Sequence, residues 1–448
     1  MNDRSEFLAR AAKPAEEALR LHPFYRGKVQ MMPKCPVSAP GDFAVWYSPG
    51  VAAPCKAIHA APELVYQHTN KANTVAIVSD GSRVLGLGDI GPEAGLPVME
   101  GKALLFKYLG GVDAVPLCIG ATRPEDIVQA VRWLEPSFGG INLEDIAQPK
   151  CFDVLARLRE SARVPVWHDD QQGSATVALA AVINALKVVG KEIVAARFAL
   201  IGTGAANIAT YRLLKAAGVD PRAVIACDSR GTLHAGRTDI EGARARFADK
   251  WTLCQETNPG RVEGGIEAAL RGADVCIAFS CPGPDVIRPD WIRAMARGAI
   301  VMACANPVPE IWPWDALEAG AAVVGTGRSD FPNQVNNALA FPGIFRGVLD
   351  VRARAVSDGM ALAAARELAA CVGSEGPTSQ RILPAMDEPS VAARLASAVG
   401  MAAMQEGLAS VAMTRDQIFR GAMERIAGAR QALALLTAGG AIPRPPTA

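Results

Sequence analysis

FALIGTGAANIATYRLLKAAG, residues 198–218, decides the architecture. An apolar run of strand type ends at Ile201, Gly202 and Gly204 follow in the spacing of a dinucleotide loop, and a helical pattern covers 205–217. A phosphate-binding loop must open a helix directly, because the helix's free N–H groups and dipole hold the pyrophosphate. AVIACD (223–228) then ends in Asp228, 24 residues beyond Gly204, where a ribose-binding acid belongs. The nucleotide contacts read from this stretch are Gly202, Thr203, Gly204, Ala205, Ala206 and Asn207, with Asp228, Ser229 and Arg230 at the next strand end. Asn207 occupies the third glycine position and is bulkier than close helix–strand contact asks for.

Outward from this loop, strand-like runs alternate with helical ones. ADVCIAFS (273–280), AIVMACAN (299–306) and AAVVGTG (321–327) follow it, and a helical pattern at 174–190 precedes it. Earlier still come VAIVSD (75–80), VDAVPLCI (112–119), GGINLED (139–145) and VPVWHDD (164–170). Strands separated by single helices predict a two-lobed α/β protein whose second lobe is a Rossmann-like, doubly wound parallel sheet. The expected domains are a substrate-binding α/β lobe at 1–168, an NAD(P)-binding lobe at 169–340 and a C-terminal helical segment at 341–448 packing back on the first lobe. A first helix is expected over about 4–20, ahead of a Pro-rich stretch at 23–40. Thr414 and Gln417 form a capping box for a last helix reaching about 436, and the tail GGAIPRPPTA (439–448) is expected to be loose.

Composition excludes several classes. Among 448 residues, 46 Lys and Arg nearly cancel 45 Asp and Glu, so no overall field draws nucleic acid or an anionic membrane. The ten cysteines form no C-x-x-C pair and the five histidines no zinc-type pair, which leaves buried reduced thiols as the expectation. The start, MNDRSEFLAR, is charged where a signal peptide would be apolar, and no run of about 18 apolar residues occurs, so a cytoplasmic protein is expected.

A second glycine loop, RVLGLGDIGPEAG (83–95), carries Gly86, Gly88 and Gly91 in the same spacing. Pro92, Gly95 and Pro97 argue against a helix directly after it, so the nucleotide is assigned to 202–207. Pro97 is instead placed at the first turn of VMEGKALLFKYLGG, where Lys102, Leu105, Phe106 and Leu109 share a face. A lysine heading an apolar stripe has a lowered pKa and suits a base, although a lysine snorkelling to water fits the same pattern. Glu144 and Asp145, and Asp169 and Asp170, close strand-like runs, where α/β sheets gather their ligands. All-oxygen donors favour Mg²⁺ or Mn²⁺. Acidic pairs are also ordinary helix caps, and neighbours in a strand point apart, so Glu144 and Asp145 can share an ion only where the strand has ended.

YSPGVAAPC (47–55), GLGDIGPEAGLPVMEGKALLF (86–106), FGGINLEDI (138–146), VPVWHDDQQGSA (164–175), NPVPEI (306–311) and GRSDFPNQVNNALAFPGIFRG (327–347) resemble, in order, the signature segments of malic enzymes. The resemblance spans about 40–350 and is to the short bacterial form. It implies oxidative decarboxylation of malate to pyruvate, with NAD or NADP and Mg²⁺ or Mn²⁺, in a homodimer or homotetramer. By the same resemblance, Lys102 is the base for the malate hydroxyl and Tyr47 the acid that protonates the enol. Asp169 positions the lysine, Glu144, Asp145 and Asp170 hold the metal, and Arg83 grips the substrate carboxylate. Asn306 and Asn337 touch substrate or cofactor. Ser48 as N-cap and Pro49 at N1 would fix Tyr47 at a helix start. Trp167 departs from the phenylalanine more usual in the family. A malolactic-type lyase is the alternative reading, and a non-catalytic NAD-binding regulator would have no need of this set of residues.

Overall fold

The computed structural model describes residues 2–445, with side chains left out at 2–7 and 9–12. Two parallel sheets organise the chain. The first holds β1 (Thr74–Ser79), β2 (Asp113–Cys118), β3 (Gly140–Leu143) and β4 (Val166–His168) in the order β2-β1-β3-β4. Every pairing in it is parallel. The second holds β5 (Phe198–Ile201), β6 (Val224–Asp228), β7 (Gly231–Thr232), β8 (Val275–Ala278), β9 (Ile300–Ala303) and β10 (Val323–Thr326). Its order, β10-β9-β8-β5-β6-β7, reverses direction between β5 and β8, the switch point at which doubly wound sheets open a ligand crevice. The short β7 was not foreseen; it pairs antiparallel with β6, matching Cys227 to Thr232 and Asp228 to Gly231.

The central strands are Val-, Ile- and Ala-rich runs buried along nearly all their length, as sheets covered on both faces require, while the edge strand β2 is half-buried throughout. The helix Ser174–Val188 joins the lobes. It is apolar nearly all round, and eleven of its residues are buried.

The segment after residue 340 packs on both lobes: Asn184 Nδ2 donates to the Ala369 and Ile382 carbonyls at 2.8 and 2.9 Å, while the helix Phe341–Asp350 and the last helix reach the first lobe. Phe341 and Phe345 pack on Phe106 with ring centroids 4.6 and 5.2 Å apart. Arg346, fully buried, reaches Asn73 at 2.5 Å while pairing with Asp350. Arg430 donates to the Tyr108 carbonyl at 3.2 Å from the last helix, Arg415–Ala438. That helix has the foreseen capping box: Gln417 N–H donates to the Thr414 hydroxyl at 3.2 Å, and Thr414 N–H to the Gln417 side chain at 2.8 Å.

Three local expectations change. The first helix runs Asn2–Tyr25, longer than expected. The tail is tied in part, since Ile442 N–H meets the Leu436 carbonyl and the Tyr25 hydroxyl the Pro443 carbonyl, at 3.1 and 3.0 Å. Its residues 446–448 lie outside the described ones. Most consequential, the helix bearing Lys102 spans Gly91–Gly110, so Pro92, Gly95 and Pro97 do not prevent it. Pro92 sits in the first turn, where no N–H is needed. Gly95 faces Val84 and Gly81 with room for an ordinary contact, and the carbonyl of Pro97 accepts a bond from the Lys28 ammonium at 2.8 Å.

Candidate active site

The carboxyl ends of β3 and β4 converge on Lys102. Its buried ammonium pairs with Glu144 Oε1 at 2.7 Å and with Asp169 Oδ2, and it lies 4.4 Å from the centre of the Phe341 ring. On the same helix Phe106 and Leu109 are buried too, while Lys107 turns outward to Asp113. The shared face read from the sequence thus points into the lobe.

Glu144 follows the last residue of β3, and Asp145 adopts a left-handed backbone with φ of 53°. That turn solves the difficulty of adjacent residues pointing apart, because the strand has ended. Asp145 N–H donates to Asp170 Oδ2 at 2.8 Å, and Asn142 Nδ2 to Glu144 Oε2 at 2.9 Å. Donor atoms of Glu144, Asp145 and Asp170 all fall within 4.8 Å of one another. Asp145 Oδ2 is buried without a hydrogen-bond partner, a costly condition that a hard dication relieves. The residues present therefore fit Mg²⁺ or Mn²⁺.

Asp169 and Asp170 lie in a π-helical turn, Asp169–Gly173, inserted between β4 and the next helix. Such turns re-aim side chains at functional sites. Gly173 is required there, since a Cβ would stand 1.9 Å from Asp169 Oδ1. Trp167, buried on β4, donates its indole N–H to that same oxygen at 3.0 Å, a bond that phenylalanine cannot make.

Electrostatics correct one expectation. Burial does act to lower the Lys102 pKa, but Asp169, Glu144 and Asp170 outweigh it and hold the lysine above its ordinary value. Burial raises the carboxyl pKa values of Glu144, Asp169 and Asp170, and it pushes Asp145 up to about 8 with Asp170 adding to the effect. Arg83 acts in the opposite sense on Asp145 and Asp170, and its backbone N–H donates to the Asp145 carbonyl at 3.0 Å. His168 is fully buried, and burial brings it down to about 4.

Asn337 stands beside the Asp169 turn, its Cβ 3.3 Å from where a side chain on Gly173 would begin. Asn306 follows β9, and a Cβ on Gly86 would stand 2.5 Å from its carbonyl oxygen. The first glycine loop thus touches the second lobe across the cleft.

Tyr47 is not gathered into this cluster. It follows the short helix Asp42–Trp46 and is 73% exposed; its backbone bonds Phe43 and Val51, both at 2.8 Å, while its hydroxyl meets no hydrogen-bond partner among the described residues. The helix expected to start at Ser48 and Pro49 begins at Ala52 instead. Residues 47–50 form a turn in which Gly50 N–H bonds the Ala44 carbonyl at 2.8 Å. A Cβ on Gly50 would stand 2.6 Å from that oxygen, so this close turn requires glycine.

In the second lobe Gly202 follows β5 at once with φ of 86°, and a Cβ on it would stand 2.4 Å from the Phe279 carbonyl across the switch point. Gly204 caps the helix Ala205–Ala216. Asn207 does not spoil the motif: its Nδ2 donates to the carbonyls of Ile201, Gly202 and Ile277 at 2.9, 2.8 and 3.2 Å. Hydrogen bonds to two strands replace the close contact that glycine would give. Thr203 Oγ1 and Asn207 Oδ1 are buried without partners at this loop, consistent with a polar ligand there.

Asp228 is held more firmly than the sequence suggests. Arg237 pairs with both its oxygens at 3.2 Å, Lys250 stands 3.5 Å away, and Arg230 donates its backbone N–H at 2.9 Å. Sequence reading missed Arg237 and Lys250, although GRTD at 236–239 lies just past the strand end. Ser229 and Arg230 are exposed, and the Arg230 guanidinium meets Asp239 at 3.4 Å.

Two family models match the chain, the malic enzyme N-terminal domain over 26–123 and the malic enzyme NAD-binding domain over 171–404. The chain belongs to the malic enzyme family. It is 46% identical over 407 residues to a Bacillus subtilis protein named bifunctional malic/malolactic enzyme, covering 90% of this chain and 96% of the relative. It is also 46% identical to the NAD-dependent malic enzyme of Geobacillus stearothermophilus, over 86% of this chain and 78% of that one. Among solved structures, Entamoeba histolytica malic enzyme superposes with a TM-score of 0.95 at 45% identity, covering 99% of this chain and 92% of that one.

Proposed function

We propose that this malic enzyme oxidatively decarboxylates malate to pyruvate, with the substrate lobe (1–168), the cofactor lobe (169–340) and the helical segment (341–448) closing around one centre. The observation that carries the reading is Lys102, buried between Asp169 and Glu144 beside three carboxylates that share a point in space. Arg83 binds the substrate carboxylate from the loop after β1, and Asn306 and Asn337 orient substrate against cofactor. Lys102 accepts the hydroxyl proton as C2 is oxidised, and Asp169 keeps the ammonium so formed in place. The C3–carboxylate bond then breaks to release CO₂, and Tyr47 delivers a proton to C3. Bound at 202–207 and Asp228, NAD(P)⁺ supplies the hydride acceptor. Glu144, Asp145 and Asp170 would hold Mg²⁺ or Mn²⁺, which would supply Lewis-acid polarisation and offset the carboxylate charge that holds the Lys102 proton.

Tyr47 needs a partner to reach this centre. Among the described side chains no apolar residue before Val75 joins the buried core, while Phe43, Val45 and Trp46 are 57%, 62% and 49% exposed. We read this arm as covered in a homodimer or homotetramer, with Tyr47 entering the neighbouring copy's site. Mixing inactive Tyr47→Phe and Lys102→Ala proteins under exchange tests it: regained turnover supports the shared site, and a dead mixture refutes it. No described helix is long and apolar enough to cross a membrane, and all ten cysteines are free, as a reducing cytoplasm allows, although Cys55 and Cys281 are exposed rather than buried.

The deciding assay incubates malate with NAD or NADP and Mg²⁺ or Mn²⁺ and follows reduced nicotinamide and pyruvate together. The Bacillus relative's name adds malolactic activity, so lactate is measured in the same mixture. Lactate without accumulated reduced cofactor would replace the main reading.

A further inference from the structure

The substrate lobe has a second built cavity, at the opposite end of its sheet. It is an open cleft of about 490 Å³, lined by Tyr66, Lys71, Arg132, Trp133, Glu135 and Arg163 among others. Lys71 and Glu135 are charged yet only 9% and 7% exposed. The Lys71 ammonium donates to the carbonyls of Glu135 and Pro136, but Glu135 Oε1 is buried with no hydrogen-bond partner. Tyr66 is fixed by cations, with the Arg352 guanidinium 4.9 Å and the Lys71 ammonium 5.6 Å from its ring centre. Arg352 adopts a left-handed backbone, φ 47°, an uncommon conformation for arginine.

Position gives the cavity its meaning. Lys71 lies in the turn Asn70–Asn73 that leads into β1, Glu135 in the turn that precedes β3, and Arg163 just before β4. Those three strands lead, at their other ends, to Arg83, to Glu144 and Asp145, and to Asp169 and Asp170. A ligand here would tie the starts of the strands whose ends build the reactive centre, roughly 10–20 Å away at about 3.3 Å per residue.

We propose that this cavity is an effector site for a phosphorylated ring-bearing metabolite with free hydroxyls, whose binding is felt at the metal-ligand ends of the same strands. Arg132 and Arg163 take the phosphate, since guanidinium groups pair with its oxygens at two points. The Glu135 carboxylate accepts a hydrogen bond from a ligand hydroxyl, and the exposed Trp133 offers its face to the ring. Sugar phosphates and nucleoside monophosphates share this chemistry.

Calorimetric titration of the full chain saturated with NADH, which fills the cofactor cleft, separates these sources using ribose 5-phosphate, AMP and inorganic phosphate. One site per chain is expected, with at least one of the two esters bound about tenfold tighter than inorganic phosphate. Arg132→Ala/Arg163→Ala, two exposed positions, should weaken it by about tenfold or more while turnover without effector stays unchanged. Glu135→Gln should narrow the gap between ester and inorganic phosphate. Absence of binding, or binding indifferent to the double substitution, overturns the site. Coupling rests on the proposed centre: the ester should shift the Mn²⁺ concentration giving half-maximal activity in wild type and not in the double variant, and binding without that shift overturns the coupling. The titration reads no turnover, so its failure is distinct from failure of the malate reading.

Discussion

Each lobe carries a glycine loop between its first strand and a helix, yet only one has the geometry of a nucleotide site. In the second lobe β5 ends at Ile201, Gly202 is the next residue and the helix starts at Ala205. In the first, β1 ends at Ser79 and the helix starts at Gly91, so residues 80–90 intervene. Those residues satisfy one another. The Gly81 carbonyl accepts from Ile90 and Gly91, both at 3.2 Å, and Val84 N–H bonds the Gly88 carbonyl at 2.9 Å. The second loop instead leaves Thr203 Oγ1 and Asn207 Oδ1 unpartnered. Glycine spacing and a following helix occur in both; what differs is whether the strand delivers the chain straight to a free helix end.

The sharpest way to test this division is to damage one lobe and measure the other. Lys102→Ala should lower malate turnover by roughly 10² to 10⁴ while NADH binding stays nearly normal. Turnover close to wild type would remove Lys102 from the chemistry. Asp170→Asn comes next: the Mn²⁺ concentration giving half-maximal rate should rise roughly 10- to 100-fold, and decarboxylation of added oxaloacetate should fall with it. Oxaloacetate decarboxylation surviving at ordinary Mn²⁺ would leave Asp170 as a helix cap only.

Legibility in the sequence also differs between the lobes. The second lobe's strands are buried apolar runs separated by helical patterns, and the sequence places nearly all of them; β7 is two residues long and has no periodicity to detect. In the first lobe, the face of Lys102 could be read by counting, because helix geometry is local. Its charge state could not be, since it depends on Asp169 and Glu144, 67 and 42 residues away in the chain. Proline and glycine misled for a related reason: Pro92, Gly95 and Pro97 weigh against a helix one at a time, whereas packing on Gly81 and Val84 favours it as a whole. Tyr47 is exposed in the single chain, so no reading of that chain alone assembles it with Lys102.

Two glycine substitutions sharpen the comparison further. Gly202→Ala puts a side chain on a left-handed residue and against the Phe279 carbonyl, so cofactor KM should rise about tenfold or more. Gly86→Ala meets the Asn306 carbonyl across the cleft, so malate KM should rise while the NADH dissociation constant holds. Equal effects of both on cofactor affinity would contradict the assignment. Trp167→Phe removes the indole bond to Asp169 and should cost about three- to tenfold in kcat with cofactor KM unchanged, the value of one hydrogen bond to a charged group. A variant as fast as wild type would show that Lys102 alone fixes that carboxylate.

The smallest effect concerns cofactor choice. Asp228 should accept bonds from the ribose hydroxyls, and its charge alone would repel the 2′-phosphate of NADP. Here that charge is offset, because Arg237 grips both oxygens from a nearly buried position and Lys250 adds a second cation. NADP is therefore not excluded, and both cofactors should support turnover, with a slight lean to NADP. Arg230 is the residue free to respond: its side chain is 74% exposed and its one ion pair, with Asp239, is long at 3.4 Å. Swinging to a 2′-phosphate would form a charge-assisted bond in an exposed setting, where solvent and salt weaken it. Arg230→Ala should accordingly shift the ratio of kcat/KM values toward NAD by about fivefold, less than a buried bond would give. Raising ionic strength should shrink that difference in wild type and leave the variant's ratio flat. An unchanged ratio in Arg230→Ala would mean that Arg237 and Lys250 set the preference alone, and Lys250→Ala would then be the substitution that moves it.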